Sequence, residues 1–398
     1  MEKINYFELI LGAVLGVIVT EIYERFFINF LNKIRKKMFL KKRLNLYQDK
    51  KIRNFIINYY SKQGSLAELY DCEIQGYSKK ILFLTNEFWS NLDIDVLNSN
   101  SLIKVVDGPS LEFKINNKMI KERQWAGQTI FDEPALYLSR VSLQNQIEAK
   151  CCSFFQKLTL IDNFEKETYK SSRSVFKKRP KLRNKILSSF NAAVFNNTYP
   201  ISMGCHVIFS IKYKNDIYIA LQQRSNKTFT YGGYYATVPV FGLVPIPKSD
   251  LSTTHDALHK NILLYNIIKE YCEEVFNISD LEHNKTHADP LWFYQEEDEA
   301  KDLIDSLKKQ STICKVLGFG FDAINSLSIF SVLLYVDDEK LSENIYKLCN
   351  SNWEIEEGIK FYQSNNEQFK MLLEQELLQN GTAFSLSLAL KYINEHIK

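Results

Sequence analysis

The stretch from His255 to Asn277 contains neither glycine nor proline, and its apolar residues recur at helical spacing. Leu263, Leu264, Ile267, Ile268, Tyr271 and Val275 share one face, which predicts a long amphipathic helix packed on a core. Glu270, Glu273 and Glu274 ride on it at i, i+3 and i+4. On a wheel of about 100° per residue, Glu270 and Glu274 fall at the edge of the apolar face, with Glu273 just beyond. Carboxylates that only solvate a helix tend to lie opposite its core. Beside the core they are partly shielded, as a divalent-cation site built from oxygen ligands requires. With no histidine or cysteine at ligand spacing, such a set suits Mg²⁺ or Mn²⁺. Helices rich in Glu at these spacings are common, so the bare triplet is weak evidence for a metal site and the surrounding segments have to decide.

Those segments are rich in strands. CHVIFSIKY (205–213) and DIYIALQQRS (216–225) flank Lys214-Asn215, a hairpin signal. YYATVPVFG (234–242) reads as a further strand ending at a glycine, KVLGFGFDA (315–323) and SIFSVLLYVDD (328–338) as a pair, and GTAFSLSLALKYINEH (381–396) as a terminal amphipathic helix. Upstream, 50–62 reads as a short helix, and KILFLT (80–85), SLIKVV (101–106) and LEFKI (111–115) as strands of a small α+β domain. WAGQTIFDEP (125–134) reads as a surface loop. The basic stretch between about 163 and 190 reads as a solvated connection or a docking surface for phosphates or lipid headgroups.

In this order the segments resemble the Nudix hydrolases, whose signature places R-E-U-x-E-E-x-G-U on a helix. Lys269-Glu270-Tyr271-Cys272-Glu273-Glu274 lies over R-E-U-x-E-E, after a hairpin ending in Arg224 and a strand ending in Gly242. The resemblance covers about half the chain. It implies a Nudix-like α-β-α sandwich in residues 196–398, with Glu270, Glu273 and Glu274 holding Mg²⁺ or Mn²⁺ against a nucleoside-linked diphosphate. Glu273 and Glu274 would be the catalytic pair, Glu273 as ligand or as the base that activates water. Arg224 would contact phosphate, and Lys269 would serve the ligand by orienting the carboxylates. Phe229, Tyr231 and Tyr234 would stack a base, unless they merely line a glycine-hinged loop. The departures are equally specific. Lys269 replaces an arginine and loses its planar fork, Phe276 stands where the family has a glycine, and the segment between Gly242 and Lys269 is about twice the family's length. His206, His255 and His259 read as structural or exposed.

The N-terminus adds a second constraint. INYFELILGAVLGVIVT (4–20) carries Glu8 as its sole charge, and seven basic residues from Lys33 to Arg43 follow. At about 1.5 Å rise per residue the run sits at the short limit of a membrane span, with the basic side cytoplasmic. The expected organisation is a transmembrane anchor (1–31), a basic juxtamembrane segment (32–62), an α+β domain of unassigned role (63–195) and the Nudix-like domain (196–398). Gly12 and Gly16 form a GxxxG that permits self-association. A net charge of +3 on 398 residues gives no footprint for a nucleic-acid polymer. Seven cysteines without a CxxC pair argue against a disulfide framework or a zinc site.

Anchor and altered box together resemble the transmembrane–Nudix effectors of bacterial cyclic-oligonucleotide (CBASS-type) antiviral systems. That resemblance implies an effector at the cell inner membrane, its C-terminal domains cytoplasmic, that senses a cyclic nucleotide and disrupts the membrane. The other expectation is a membrane-tethered, Mg²⁺-dependent hydrolase of nucleoside diphosphate derivatives.

Overall fold

The computed structural model describes residues 6–397 apart from 108–111, 129, 143–144, 175–179, 226–227, 229, 248–260, 279–280, 282–288 and 349–354. Two helices open it, α1 (Tyr6–Gln48) and α2 (Lys50–Gln63). Asp49 separates them with extended backbone and caps α2 by accepting from Lys51 N at 2.8 Å; Gly64, in the left-handed region, closes it. The expected division at residue 31 therefore falls inside one continuous helix. Apolar side chains of α1 point outward on several sides, with Val17, Val19 and Phe26 each more than three-fifths exposed. Among the described residues no helix is long and apolar enough to cross a membrane. The expected span finds no support there. Its first residues, Ile4 and Asn5, lie outside the described set, and Glu21, Glu24 and Arg25 interrupt its continuation.

Next come the hairpin β1 (Leu69–Ile74) and β2 (Tyr77–Leu84), short strands β3 (Ile94–Asp95) and β4 (Ile103–Val105), and α3 (Asn117–Trp125). The described part of the 111–115 run, residues 112–115, forms no strand. Strands β5 (Pro134–Val141) and β6 (Ile147–Ser153) lead into α4 (Phe154–Ser172), α5 (Lys181–Ile186) and α6 (Phe190–Val194). Then follow β7 (Ile201–Tyr213), β8 (Asp216–Arg224), β9 (Tyr235–Thr237), β10 (Val240–Gly242) and α7 (Ile262–Glu270). Lys214 and Asn215 both take positive φ, as a tight hairpin between β7 and β8 demands. The expected 234–242 strand is split at Pro239, which has no N–H to give a ladder. The remaining elements are α8 (Phe293–Glu296), α9 (Asp298–Lys308), β11 (Thr312–Asp322), β12 (Ser328–Val336), α10 (Glu339–Leu348), β13 (Ile355–Gln363), α11 (Gln368–Glu374) and α12 (Asn380–His396).

The strands join one 13-stranded sheet in the order β1-β2-β11-β12-β7-β5-β6-β4, with β8, β9, β10, β13 and β3 attached at its sides. The chain is thus mixed α+β with a large sheet. Side chains of β7 alternate between two cores. Val207, Phe209 and Ile211 face the core that holds Leu263, Ile267 and Tyr271 of the glutamate helix, while Ile208 faces the core under α12 with Phe384 and Leu386. The sheet does not break at 195/196. Strand β5 pairs with β7 through Tyr137–Ser202 and Leu138–Ile201, and β2 pairs with β11 through Leu84–Phe321. Part of the basic stretch is also less solvated than expected. Arg183 is fully buried, donating to Tyr60 Oη (3.1 Å) and Thr168 Oγ1 (2.8 Å) over the Phe164 ring; Lys177, Lys178 and Arg179 lie outside the described residues.

Gly320 carries the β2–β11 junction, because a Cβ there would stand 2.4 Å from Leu84 O, a backbone atom that cannot move aside. Gly320→Ala is expected to cost about 2–3 kcal/mol through overpacking. Urea unfolding followed by circular dichroism measures it, and an unchanged midpoint would refute the junction's importance.

Candidate functional site

A cleft of about 270 Å³ opens where the two halves of the sheet meet. One wall is the N-terminal part of β7 with β10; the opposite wall is residues 130–135 and the start of α4, and the glutamate helix closes a third side. Hydrogen bonds fix these walls together. Leu136 N donates to Leu243 O and Leu243 N to Met203 O, both at 2.9 Å. Phe154 N donates to Glu133 O (2.9 Å) and Phe155 N to Asp132 Oδ1 (3.0 Å), which pins the 132–133 segment to the capped first turn of α4. The stretch read from sequence as a surface loop therefore supplies part of the cleft, through Ile130, Phe131, Glu133 and Pro134.

The helix carrying the glutamates begins at Asn261, whose side chain accepts from Leu264 N (3.0 Å); residues 251–260, including His255 and His259, lie outside the described set. Asn266 then clamps it to the strand side, accepting from Val244 N (2.9 Å) and donating to Val244 O (3.0 Å). After Glu270 the helix widens into a π turn over Tyr271–Val275. This i→i+5 turn rotates side chains away from their α-helical directions. The three carboxylates consequently part company. Glu274 is buried and accepts from Val240 N at 2.9 Å. Glu273 accepts from Leu281 N at 2.9 Å, on the loop that follows. Lys269 Nζ stands 3.1 Å from Glu270 Oε1 and 3.8 Å from Glu273 Oε2.

Among the described residues, no group of three or more His, Cys, Asp or Glu side chains is arranged to hold a metal ion. An ammonium and two backbone N–H groups each engage one oxygen of these carboxylates. Glu270, Glu273 and Glu274, expected to act as one ligand set, are each engaged with a different partner here. Lys269 sits where the sequence placed it, against the carboxylates.

Arg224, at the end of β8, is buried on the cleft wall beside His206. Burial, with Arg224 nearby, holds the His206 imidazole down to about 3, so it is neutral at pH 7; its Nδ1 lies 3.1 Å from Thr382 Oγ1. The aromatic residues expected to stack a base are engaged elsewhere. Tyr231 stacks on Tyr47 of α1 with ring centroids 3.9 Å apart, and Tyr234 meets Tyr231 edge-on at 5.3 Å. Tyr231 lines the cleft, whereas Tyr234 lines a smaller hollow beside Tyr47 and Glu376. Phe229 lies outside the described residues.

Two cleft residues escaped the sequence reading. Asp322, fully buried at the end of β11, accepts from Tyr231 Oη, Asn380 Nδ2 (3.2 Å), Ile324 N (2.7 Å) and Asn325 N (3.3 Å). Burial still pushes its carboxyl up to about 6. Lys157, the fourth residue of α4, is 2% exposed and lines the cleft. Its ammonium lies 5.8 Å from the centroid of the Phe154 ring and has no hydrogen-bond or ion-pair partner among the described residues. Burial pulls its pKa down to about 8.

No family model matches this chain. No curated protein matches it either. Among solved structures, the crystal structure of C. elegans Ap4A hydrolase aligns with 44% of this chain and 96% of its own, at 11% identity and a TM-score of 0.19. A score that low carries no argument, so the Nudix resemblance rests on the residues themselves.

The depressed Lys157 pKa has a stability consequence with a definite sign. An amine whose folded pKa lies near 8 rather than its ordinary 10.5 destabilises the fold fully below pH 8, and the penalty vanishes as pH approaches the unfolded value. Lys157→Met is expected to raise unfolding free energy at pH 7 by about 2–3 kcal/mol, a gain that shrinks as pH rises from 8 toward 10.5. Urea titrations at pH 7 and pH 9.5 test this; a less stable variant at pH 7 would overturn it.

Proposed function

We propose that this chain is a membrane-associated effector whose Nudix-like C-terminal half senses a nucleotide second messenger, a cyclic oligonucleotide of a bacterial antiviral system, without turning it over. The observation that carries the reading is the disposition of the box glutamates. Glu274 tethers the helix to β10, Glu273 holds the following loop, and Glu270 is paired with Lys269. Carboxylates spent on holding the fold are poor candidates for gathering Mg²⁺ and activating water, yet they leave a formed cleft with Arg224, Lys269 and Lys157 on its walls. Preformed concave sites with a few placed polar groups are where small ligands bind.

The apolar surface of α1 supports the membrane part of the proposal. Val17, Val19, Phe26 and Phe30 are exposed together, and the basic block from Lys33 to Arg43 suits anionic headgroups at the cytoplasmic face of the inner membrane. Tyr47, at the other end of the same helix, packs on Tyr231 at the cleft and donates to Glu165 of α4. Ligand and helix therefore share contacts through which occupancy of one would bias the other.

Calorimetric titration of the full chain with cyclic di- and trinucleotides, alongside chromatography for turnover in Mg²⁺ and in EDTA, tests the sensor. Binding in both buffers without turnover is the expected result. Mg²⁺-dependent turnover that Glu274→Gln abolishes would replace the sensor with the membrane-tethered hydrolase. The full chain is also expected to sediment with vesicles containing anionic lipid and to be released when Val17, Phe26 and Phe30 are changed to Gln. Sedimentation unchanged by those substitutions, or none at all, would remove α1 as the membrane contact.

A further inference from the structure

Among the described residues of the cleft, the charge without a partner is positive, and it belongs to neither the glutamate helix nor the hairpin arginine. The carboxylates of Glu274, Glu270 and Asp322 have donors supplied from within the chain. Glu274 has Val240 N, Glu270 has Lys269, and Asp322 has four donors. Glu133 is partly exposed, where water screens it. Lys157 differs from all of these, because its side chain is almost wholly removed from water and, among the described residues, its ammonium has the face of Phe154 but no hydrogen-bond or ion-pair partner. Cys152, whose thiol acts on Lys157 electrostatically, cannot serve as counter-ion, since burial pushes that thiol up to about 11.

Opposite the ammonium stands the backbone of Gly242. A Cβ there would come within 3.5 Å of Lys157 Nζ, so the missing side chain keeps open the space in front of the amine. Ile130, Phe154 and Phe241 supply apolar wall around it. A buried ammonium without a partner is costly, and nothing about packing α4 requires it, because an apolar side chain of similar length would fill the same volume. A cost of this kind is retained where a ligand anion completes the pair.

We propose that Lys157 and the open edge at Gly242 form an anion subsite that takes a phosphoryl group of the cleft's ligand, so that the 130–135 segment and the first turn of α4 are part of the ligand-binding surface. The subsite supplies the positive charge that a divalent cation would bring at a conventional diphosphate site, and it does so without metal. This inference deepens the sensor reading and rests on it for the identity of the rest of the ligand.

Titration of the full chain in EDTA with inorganic pyrophosphate and with cyclic di-AMP separates the two ideas. Wild type is expected to bind both, and Lys157→Met and Lys157→Gln are expected to weaken both by about tenfold or more, the scale of a charged hydrogen bond. A melting temperature of Lys157→Met at or above wild type excludes misfolding as the cause. Cyclic di-AMP bound by wild type and both variants within twofold would overturn the subsite and leave the sensor standing. Pyrophosphate binding that depends on Lys157, with no cyclic nucleotide bound, would support the subsite and sink the sensor. If wild type binds neither probe, both fail.

Discussion

Strand β7 must satisfy its backbone while both of its faces are buried, and the rest of the molecule is arranged around that requirement. A buried strand can leave few N–H or C=O groups unpaired. β7 meets the demand with different partners along its length. Its first residues pair with β5, its middle runs parallel to β12 from Met203 to Ile211, Gly204 to His206 also face β10, and Ser210 to Tyr213 pair with β8. The upstream strands are therefore not a separate appendage. They complete the hydrogen bonding of the central strand, and the cleft lies where β5, β7 and β10 come together.

The same pairing explains the electrostatics of the site. Bringing β5, β6 and the start of α4 against β10 removes Lys157 from water, and bringing the glutamate helix against β10 commits Glu274 to Val240 N. One ionised group is thereby satisfied, and the other has no hydrogen-bond or ion-pair partner among the described residues. A buried ion that lacks a partner lowers stability, whereas a buried ion that accepts a backbone N–H does not incur the same cost. The contrast between two groups on opposite walls of one cleft distinguishes a group that holds the fold from one suited to hold a ligand.

Much of the architecture was legible from local pattern. The strands read at 205–213, 216–225, 315–323 and 328–338, the hairpin at Lys214-Asn215 and the terminal helix all follow from alternation, helical period and turn chemistry, although two of the strands begin a few residues earlier, at Ile201 and Thr312. The glutamate helix was legible too, as was its buried face. The failures were of another kind. The described part of LEFKI alternates like a strand but finds no neighbour to pair with, and the wheel assumed an α-helical step that the π turn at Tyr271–Val275 does not keep. Tyr231 and Tyr234, read as stacking a base or lining a glycine-hinged loop, instead pack against Tyr47, far away in the chain.

Lys157 shows most clearly where sequence stops. In FFQKLTL it looks like any cation in the first turns of an amphipathic helix, and no spacing rule marks it. By itself the sequence determined which segments are strands and helices and which faces are apolar, because those properties arise between residues a few positions apart. Tertiary structure alone decided which charges lose water and which donors reach them, since desolvation and pairing depend on groups brought together from distant parts of the chain.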